Sequence, residues 1–279
     1  LLPFTIGTET LGSIVSPSTR CGATGLRPTF GTISRSGAMV LCWSLDKAGP
    51  ICRSAEDAAI VYAYIHGTDG LDPSAIRHTF NYSGKTDFRK LRIAYADNYF
   101  KRLNAEAPEW KVLDMYRSLG ANLKAVNFPD TSLAGVISII LNAESAAAFD
   151  ELTRTNRDDL IERQDRAFWP NSFRAARTIP AVEYINANRY RSKLCDIINE
   201  FMKDYDVVIV PSFGGRQLAT TNLTGHPVVV MPIGFNEAGS PLSITLLGNL
   251  YDEATILAAA KAYQDKTDFN KKHPALFTK

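Results

Sequence analysis

Gly7-Thr8-Glu9-Thr10-Leu11-Gly12-Ser13-Ile14-Val15-Ser16-Pro17, close to the N-terminus, is the stretch on which the reading of the chain turns. Before it runs Leu1-Leu2-Pro3-Phe4-Thr5-Ile6, an apolar run short enough for a buried strand. After it come small residues broken by Pro17 and Gly22. The pattern reads as strand, tight turn, serine. Such a turn can aim several backbone N–H groups in one direction while lifting a hydroxyl clear of the sheet edge, and acyl transfer needs that pairing of nucleophile and oxyanion site. Ser13 is therefore the candidate nucleophile. Taken alone, a serine in a glycine turn reads more readily as a small residue hydrogen-bonded locally.

Two competing chemistries fit the residues less well. Gly7-x4-Gly12 has the glycine spacing of a phosphate-binding loop, but Ser13 stands where that loop needs its lysine. The four histidines, His66, His78, His226 and His273, are scattered, and no G-x-S-x-G surrounds any serine, which argues against a Ser-His-Asp enzyme. His226 lies on a loop entering a strand and is expected to be structural.

The context of Ser13 extends well beyond the turn. Cys21-Gly22-Ala23-Thr24-Gly25-Leu26-Arg27-Pro28-Thr29, Ser34-Arg35-Ser36-Gly37, Ser44-Leu45-Asp46-Lys47-Ala48-Gly49-Pro50 and Arg53-Ser54-Ala55-Glu56-Asp57-Ala58-Ala59 follow it in order. Together with Gly7 to Pro17 they resemble the C-terminal part of the amidase signature. The resemblance is strong to about Pro73, moderate from Asp206 to Gly248 and weak between. It implies an amidase signature fold, α/β with a mixed twisted sheet flanked by helices. It also implies amide C–N hydrolysis through a serine acyl-enzyme, without metal or cofactor, on a small-molecule amide. Ser13 takes the catalytic position, and the backbone N–H groups of Thr10, Leu11, Gly12 and Ser13 take that of the oxyanion hole. Leu11 departs from the Gly or Asp common there, and a backbone angle reachable only by glycine would put the hole in doubt. Val15 replaces a common Arg. Asp46, Arg53 and Asp57 recur in the motif and are expected to hold loops; Arg35 is expected to do the same or to lie near substrate.

In this family a Lys and a second Ser in a cis peptide complete the machinery, both upstream of the nucleophile. Residues 1–279 are accordingly expected to be the C-terminal part of a single amidase domain, inactive alone and with an apolar face exposed. The alternatives are the amidase component of a tRNA-dependent glutamine amidotransferase and a non-catalytic amidase-like scaffold.

Composition is compatible with all three. An apolar share of 45% in 279 residues supports a substantial core. The net charge of +2, from 31 basic and 29 acidic residues, gives no electrostatic case for nucleic acid or membrane. No run of 18 apolar residues is present to span a bilayer. A cytoplasmic location is expected, and a homo-oligomer is left open. Cys21, Cys42, Cys52 and Cys195 lack paired spacing and are expected to be reduced structural thiols, not a metal site. Asn81-Tyr82-Ser83 and Asn222-Leu223-Thr224 match the glycosylation pattern incidentally.

Along the chain, Thr29 to Trp43 reads as short strands joined by turns. Ser54 caps a helix in which Ile60, Ala63 and Tyr64 recur at helical spacing, stopped by Gly67. Leu91 to Tyr95, a helix bearing Val112, Met115, Tyr116 and Leu119 and ended by Gly120, and Ala121 to Phe128 form a βαβ unit, for which a right-handed crossover is expected. Thr131 to Lys203 is mainly helical. Its last helix, opened by Pro180, carries Val182, Ile185, Tyr190, Leu194, Ile197 and Phe201 as a stripe expected to face the core. Asp206 to Pro211 reads as a strand covered on both faces. A loop through Gly214 and Gly215 to Pro227, strands Val228 to Pro232 and Leu242 to Leu247, a helix capped by Asp252 and a polar tail from Thr267 complete the chain.

Overall fold

The computed structural model describes residues 2–274. In chain order the elements are β1 (Phe4–Glu9), α1 (Val15–Cys21), β2 (Thr24–Arg27), β3 (Lys47–Cys52) and α2 (Ala55–Ile65). Next come β4 (Ile93–Ala96), α3 (Asp97–Phe100), α4 (Pro108–Ser118), β5 (Leu123–Val126), α5 (Ile137–Ala148) and α6 (Asp150–Arg154). The chain continues with α7 (Trp169–Ala176), α8 (Ala181–Met202), β6 (Val207–Pro211), α9 (Gln217–Thr224), β7 (Val228–Phe235), β8 (Pro241–Gly248) and α10 (Glu253–Gln264).

The strands form one eight-stranded sheet in the order β1-β3-β2-β7-β8-β6-β4-β5. Its pairs are antiparallel from β1 to β6, and β6-β4 and β4-β5 are parallel, so the sheet is mixed, as expected. Strand alternation divides the core into two layers. On β6, Val207 and Ile209 join the layer under α2, α4 and α10, whereas Val208 and Val210 join the layer under α1, α5, α8 and α9. A continuous run of β-branched residues thus marks a strand buried on both faces.

Several expectations hold at the level of elements. The Ser54 hydroxyl accepts from the Asp57 N–H at the start of α2, and the Asp252 carboxylate accepts from the Thr255 N–H at the start of α10. β4, α4 and β5 form the βαβ unit, and Ile256, Ala260 and Tyr263 of α10 are buried.

Five details differ. β1 is an edge strand with Phe4 and Ile6 about half exposed, since among the described residues it pairs with β3 alone. The 29–43 segment forms turns with no strand; its polar groups are held by side chains, so no ladder is required. α9 occupies part of the stretch read as a loop, since Gly225 at φ +78° ends it only after two turns. In α2, Ala58, Ala59 and Tyr62 are buried while Ile60 and Tyr64 face outward. In α8 the buried stripe is Ala187, Leu194, Ile198 and Met202; Val182, Ile185, Tyr190 and Ile197 are exposed. The helix carries two apolar stripes, and only one meets the sheet.

Candidate active site

β1 leaves the sheet at Glu9, and the chain turns through Thr10 to Ile14 before entering α1. Gly12 makes the turn at φ +85°, a conformation that costs a side-chain-bearing residue about 1–2 kcal/mol. A Cβ at this position would also lie 3.1 Å from Leu218 of α9. The Gly12 carbonyl accepts from the Ser16 N–H at 2.7 Å, closing the first helical turn. Leu11 has no positive φ, so its side chain is compatible with the turn.

Ser13 lies at the exposed crest of this turn. Its hydroxyl makes no hydrogen bond among the described residues, and no acceptor among them takes the N–H groups of Thr10, Leu11, Gly12 or Ser13. The next two N–H groups, those of Ile14 and Val15, donate to Glu9 Oε2 at 2.8 and 3.0 Å. Val15 itself is fully buried, packed in the layer with Leu223, Val228 and Val230, which accounts for an apolar residue there.

Glu9 is the anchor of the turn, a role that no local sequence pattern points to. Its other oxygen accepts from Arg27 Nη1 at 2.8 Å and from Asn222 Nδ2 at 2.8 Å, and both Glu9 and Arg27 are fully buried. Burial alone would raise the carboxyl's pKa; the Arg27 charge, with hydrogen bonds from Arg27, Val15 and Asn222, outweighs it and holds it at about 2. Arg27 also donates to the His226 carbonyl at 2.9 Å. His226 is buried, its Nδ1 2.8 Å from Thr224 Oγ1, and burial followed by the Arg27 charge lowers its pKa to about 4. It is a neutral structural histidine. Lys47, opposite Glu9 across the β1-β3 ladder, is also buried, and burial, then Arg27, push its pKa well below the ordinary value.

A second buried carboxylate fixes the loop beside the turn. Asp46 accepts from Thr10 Oγ1 at 2.5 Å and from the N–H groups of Leu41 and Cys42 at 2.8 and 2.9 Å. Glu144 of α5 holds the same loop from the opposite side, through the Ser44 N–H and hydroxyl, the Cys42 thiol and the Tyr184 hydroxyl. Arg35 is committed to Asp72, Ser74 and the carbonyls of Trp43 and Asp46. Arg53 donates to the Lys272 carbonyl, and Asp57 closes the α2 cap with Ser54. All four motif charges therefore serve as ties.

The four cysteines are free thiols; burial, then Glu144, raises that of Cys42, and burial, then Asp57, raises that of Cys52 to about 12. Among the described residues no group of three or more His, Cys, Asp or Glu side chains is arranged to hold a metal ion. None of their helices is long and apolar enough to cross a membrane.

The chain is similar to several known proteins. The family model described as Amidase matches residues 1–221. A glutamyl-tRNA(Gln) amidotransferase subunit from Oceanobacillus iheyensis is 27% identical over 318 aligned positions, covering 98% of this chain and 65% of that protein. Its counterpart from Lysinibacillus sphaericus is 30% identical, covering 99% of this chain and 66% of that protein. Among solved structures, the native peptide amidase of Stenotrophomonas maltophilia superposes with a TM-score of 0.79 at 25% identity, over 95% of this chain and 62% of that one. The chain thus spans a little under two thirds of the length of these relatives.

Proposed function

The chain belongs to the amidase family, and from that premise we propose that it carries the nucleophile of an amide hydrolase, with Ser13 attacking the carbonyl carbon of a small-molecule amide. The N–H groups of Thr10, Leu11, Gly12 and Ser13 receive the developing oxyanion. The amine leaves protonated, and water then releases the acid from the Ser13 ester. One observation carries the reading: an exposed hydroxyl without a partner among the described residues, next to four N–H groups without acceptors among them, on a turn anchored by a buried carboxylate.

A serine hydroxyl needs a base, and none is hydrogen-bonded to Ser13 among the described residues. We assign that role to a Lys and a second Ser, proposed to lie upstream of the nucleophile as the family pattern implies. Without them the acceleration falls by several orders of magnitude, so residues 1–279 alone are expected to be inactive. The test is turnover of simple aryl and alkyl amides by the purified chain, alone and joined to an upstream segment that carries that Lys and Ser. Turnover that needs the upstream segment and disappears in Ser13→Ala supports the assignment; turnover that survives Ser13→Ala refutes it.

The names of the curated relatives favour a second reading, the corresponding component of a glutamyl-tRNA(Gln) amidotransferase. Copurification with a partner protein together with glutaminase activity would support it over a free-standing amidase.

A further inference from the structure

The 68–90 stretch forms neither helix nor strand and lies against α2 and α10, in the layer of the sheet opposite α1. Its first part is well tied. The Gly67 N–H donates to the Thr32 carbonyl at 2.7 Å, the Ile76 N–H donates to the Gly31 carbonyl at 2.9 Å, and Arg35 binds Asp72 and Ser74. From Arg77 to Arg89 the chain has, among the described residues, a single hydrogen bond to another element, between His78 Nε2 and the Tyr62 hydroxyl at 2.9 Å. Packing supplies the rest of its hold. Phe80 meets Tyr62 edge-on at 4.8 Å and stacks with Tyr82 at 6.0 Å, and Phe88 packs on Tyr116 at 5.6 Å.

The one polar tie is made by a group that titrates near neutrality. The His78 side chain is 8% exposed. Facing it are the Tyr62 hydroxyl of α2, the His66 ring that follows α2 at 5.1 Å, the Tyr251 ring that precedes α10 at 6.0 Å, and the Glu253 carboxylate of α10. Glu253 is fully buried; its Oε1 accepts from the Thr29 N–H at 2.8 Å, and its Oε2 lies 4.0 Å from His78 Nε2. Neither that Oε2 nor His78 Nδ1 has a hydrogen-bond partner among the described residues. Burial lowers the His78 pKa below the ordinary 6.5; the Glu253 charge opposes the shift, and His66 adds to it. A neutral ring can accept from the Tyr62 hydroxyl at Nε2, whereas a protonated ring has no acceptor left.

We propose that His78 is a proton-sensitive latch for residues 77–89, closed while its ring is neutral and released in mild acid, which bares the face of α2 that Phe80 covers. With the latched pKa below the ordinary value, the released segment takes up the proton first as pH falls. Closure is therefore complete above pH 6.5 and is lost progressively below it. Glu253 limits the loss, because its carboxylate favours the imidazolium in the closed form.

Hydrogen exchange read by peptide mass spectrometry on residues 1–279, corrected at each pH for the intrinsic exchange rate, tests the latch. Between about pH 7.5 and about pH 5 the amides of 77–89 are expected to open up to about thirtyfold more often, the factor by which a released imidazole of ordinary pKa favours its protonated form over that range. Amides of α8 and α10 should keep their protection. His78→Gln, which can still bond to Tyr62 but does not titrate, should remove the acid response, and Glu253→Gln should steepen it. A wild-type segment that opens equally at both pH values, an acid response that persists in His78→Gln, or a loss of protection shared by α8 and α10 would overturn the latch. Should either variant fail to fold, the His78 imidazole resonance of the wild type decides: a titration midpoint below 6.5 is expected, and one at or above 6.5 would overturn the latch equally.

Discussion

Replacing Glu9 by Gln keeps its shape and removes one charge, leaving Arg27 fully buried with no anionic partner. Uncompensated buried charges of this kind cost about 3–5 kcal/mol, so urea denaturation of Glu9→Gln is expected to show a loss of that order. A loss below about 1 kcal/mol would mean that the turn is anchored elsewhere. His226 supplies a pH signature. Its folded pKa, about 4, lies below the ordinary 6.5, so the unfolded chain takes up the proton first as pH falls. The stability it protects is complete above pH 6.5 and is lost through pH 4, about 3 kcal/mol in all. Subtracting the profile of His226→Gln from that of the wild type should isolate this slope; identical profiles would contradict it. At this scale the sequence is partly legible. Ser13 stands out by its context, and Asp46, Arg53 and Asp57 emerge as the ties expected. Glu9 does not, because its partner Asn222 lies 213 residues away and no local spacing connects them.

Among the elements, α8 offers the sharpest contrast between pattern and packing. The helix is readable from its period and from Pro180, yet of the stripe chosen from the pattern only Leu194 and Phe201 meet the core while Val182, Ile185, Tyr190 and Ile197 are exposed, because apolar residues occupy two sides and only the tertiary fold selects between them. Ile198→Ala is expected to cost about 2–5 kcal/mol. Ile185→Ala, at 57% exposure, should change stability by no more than about 0.5 kcal/mol in the same measurement. Equal effects would contradict the observed face. β1 shows the converse problem. Its apolar run marks a strand, but the run cannot say whether a second strand lies beyond it, and the structure places it at an edge with Phe4 and Ile6 half exposed. α9 is hidden in the sequence because a short polar helix of Gln, Thr and Asn has the composition of a loop.

At the scale of the whole molecule, the sheet explains why one short turn can be so firmly set. β1, β3, β2 and β7 bring Glu9, Lys47, Arg27 and the start of β7 side by side, so residues from distant parts of the chain meet beneath Ser13. The outer loop is clamped to the helical layer by Glu144. The mixed α/β architecture is legible in the alternation of strand and helix patterns; the strand order is not, because it depends on non-local pairing. The central claim is that this arrangement serves Ser13 as a nucleophile. Fluorophosphonate labelling followed by peptide mass spectrometry, on residues 1–279 and on a chain extended by a segment that carries the proposed Lys and second Ser, tests it most directly. The account predicts a single adduct on Ser13, absent from Ser13→Ala and absent from residues 1–279 alone. An extended chain that hydrolyses amides with Ser13 unlabelled, or with the adduct on another residue, would contradict it.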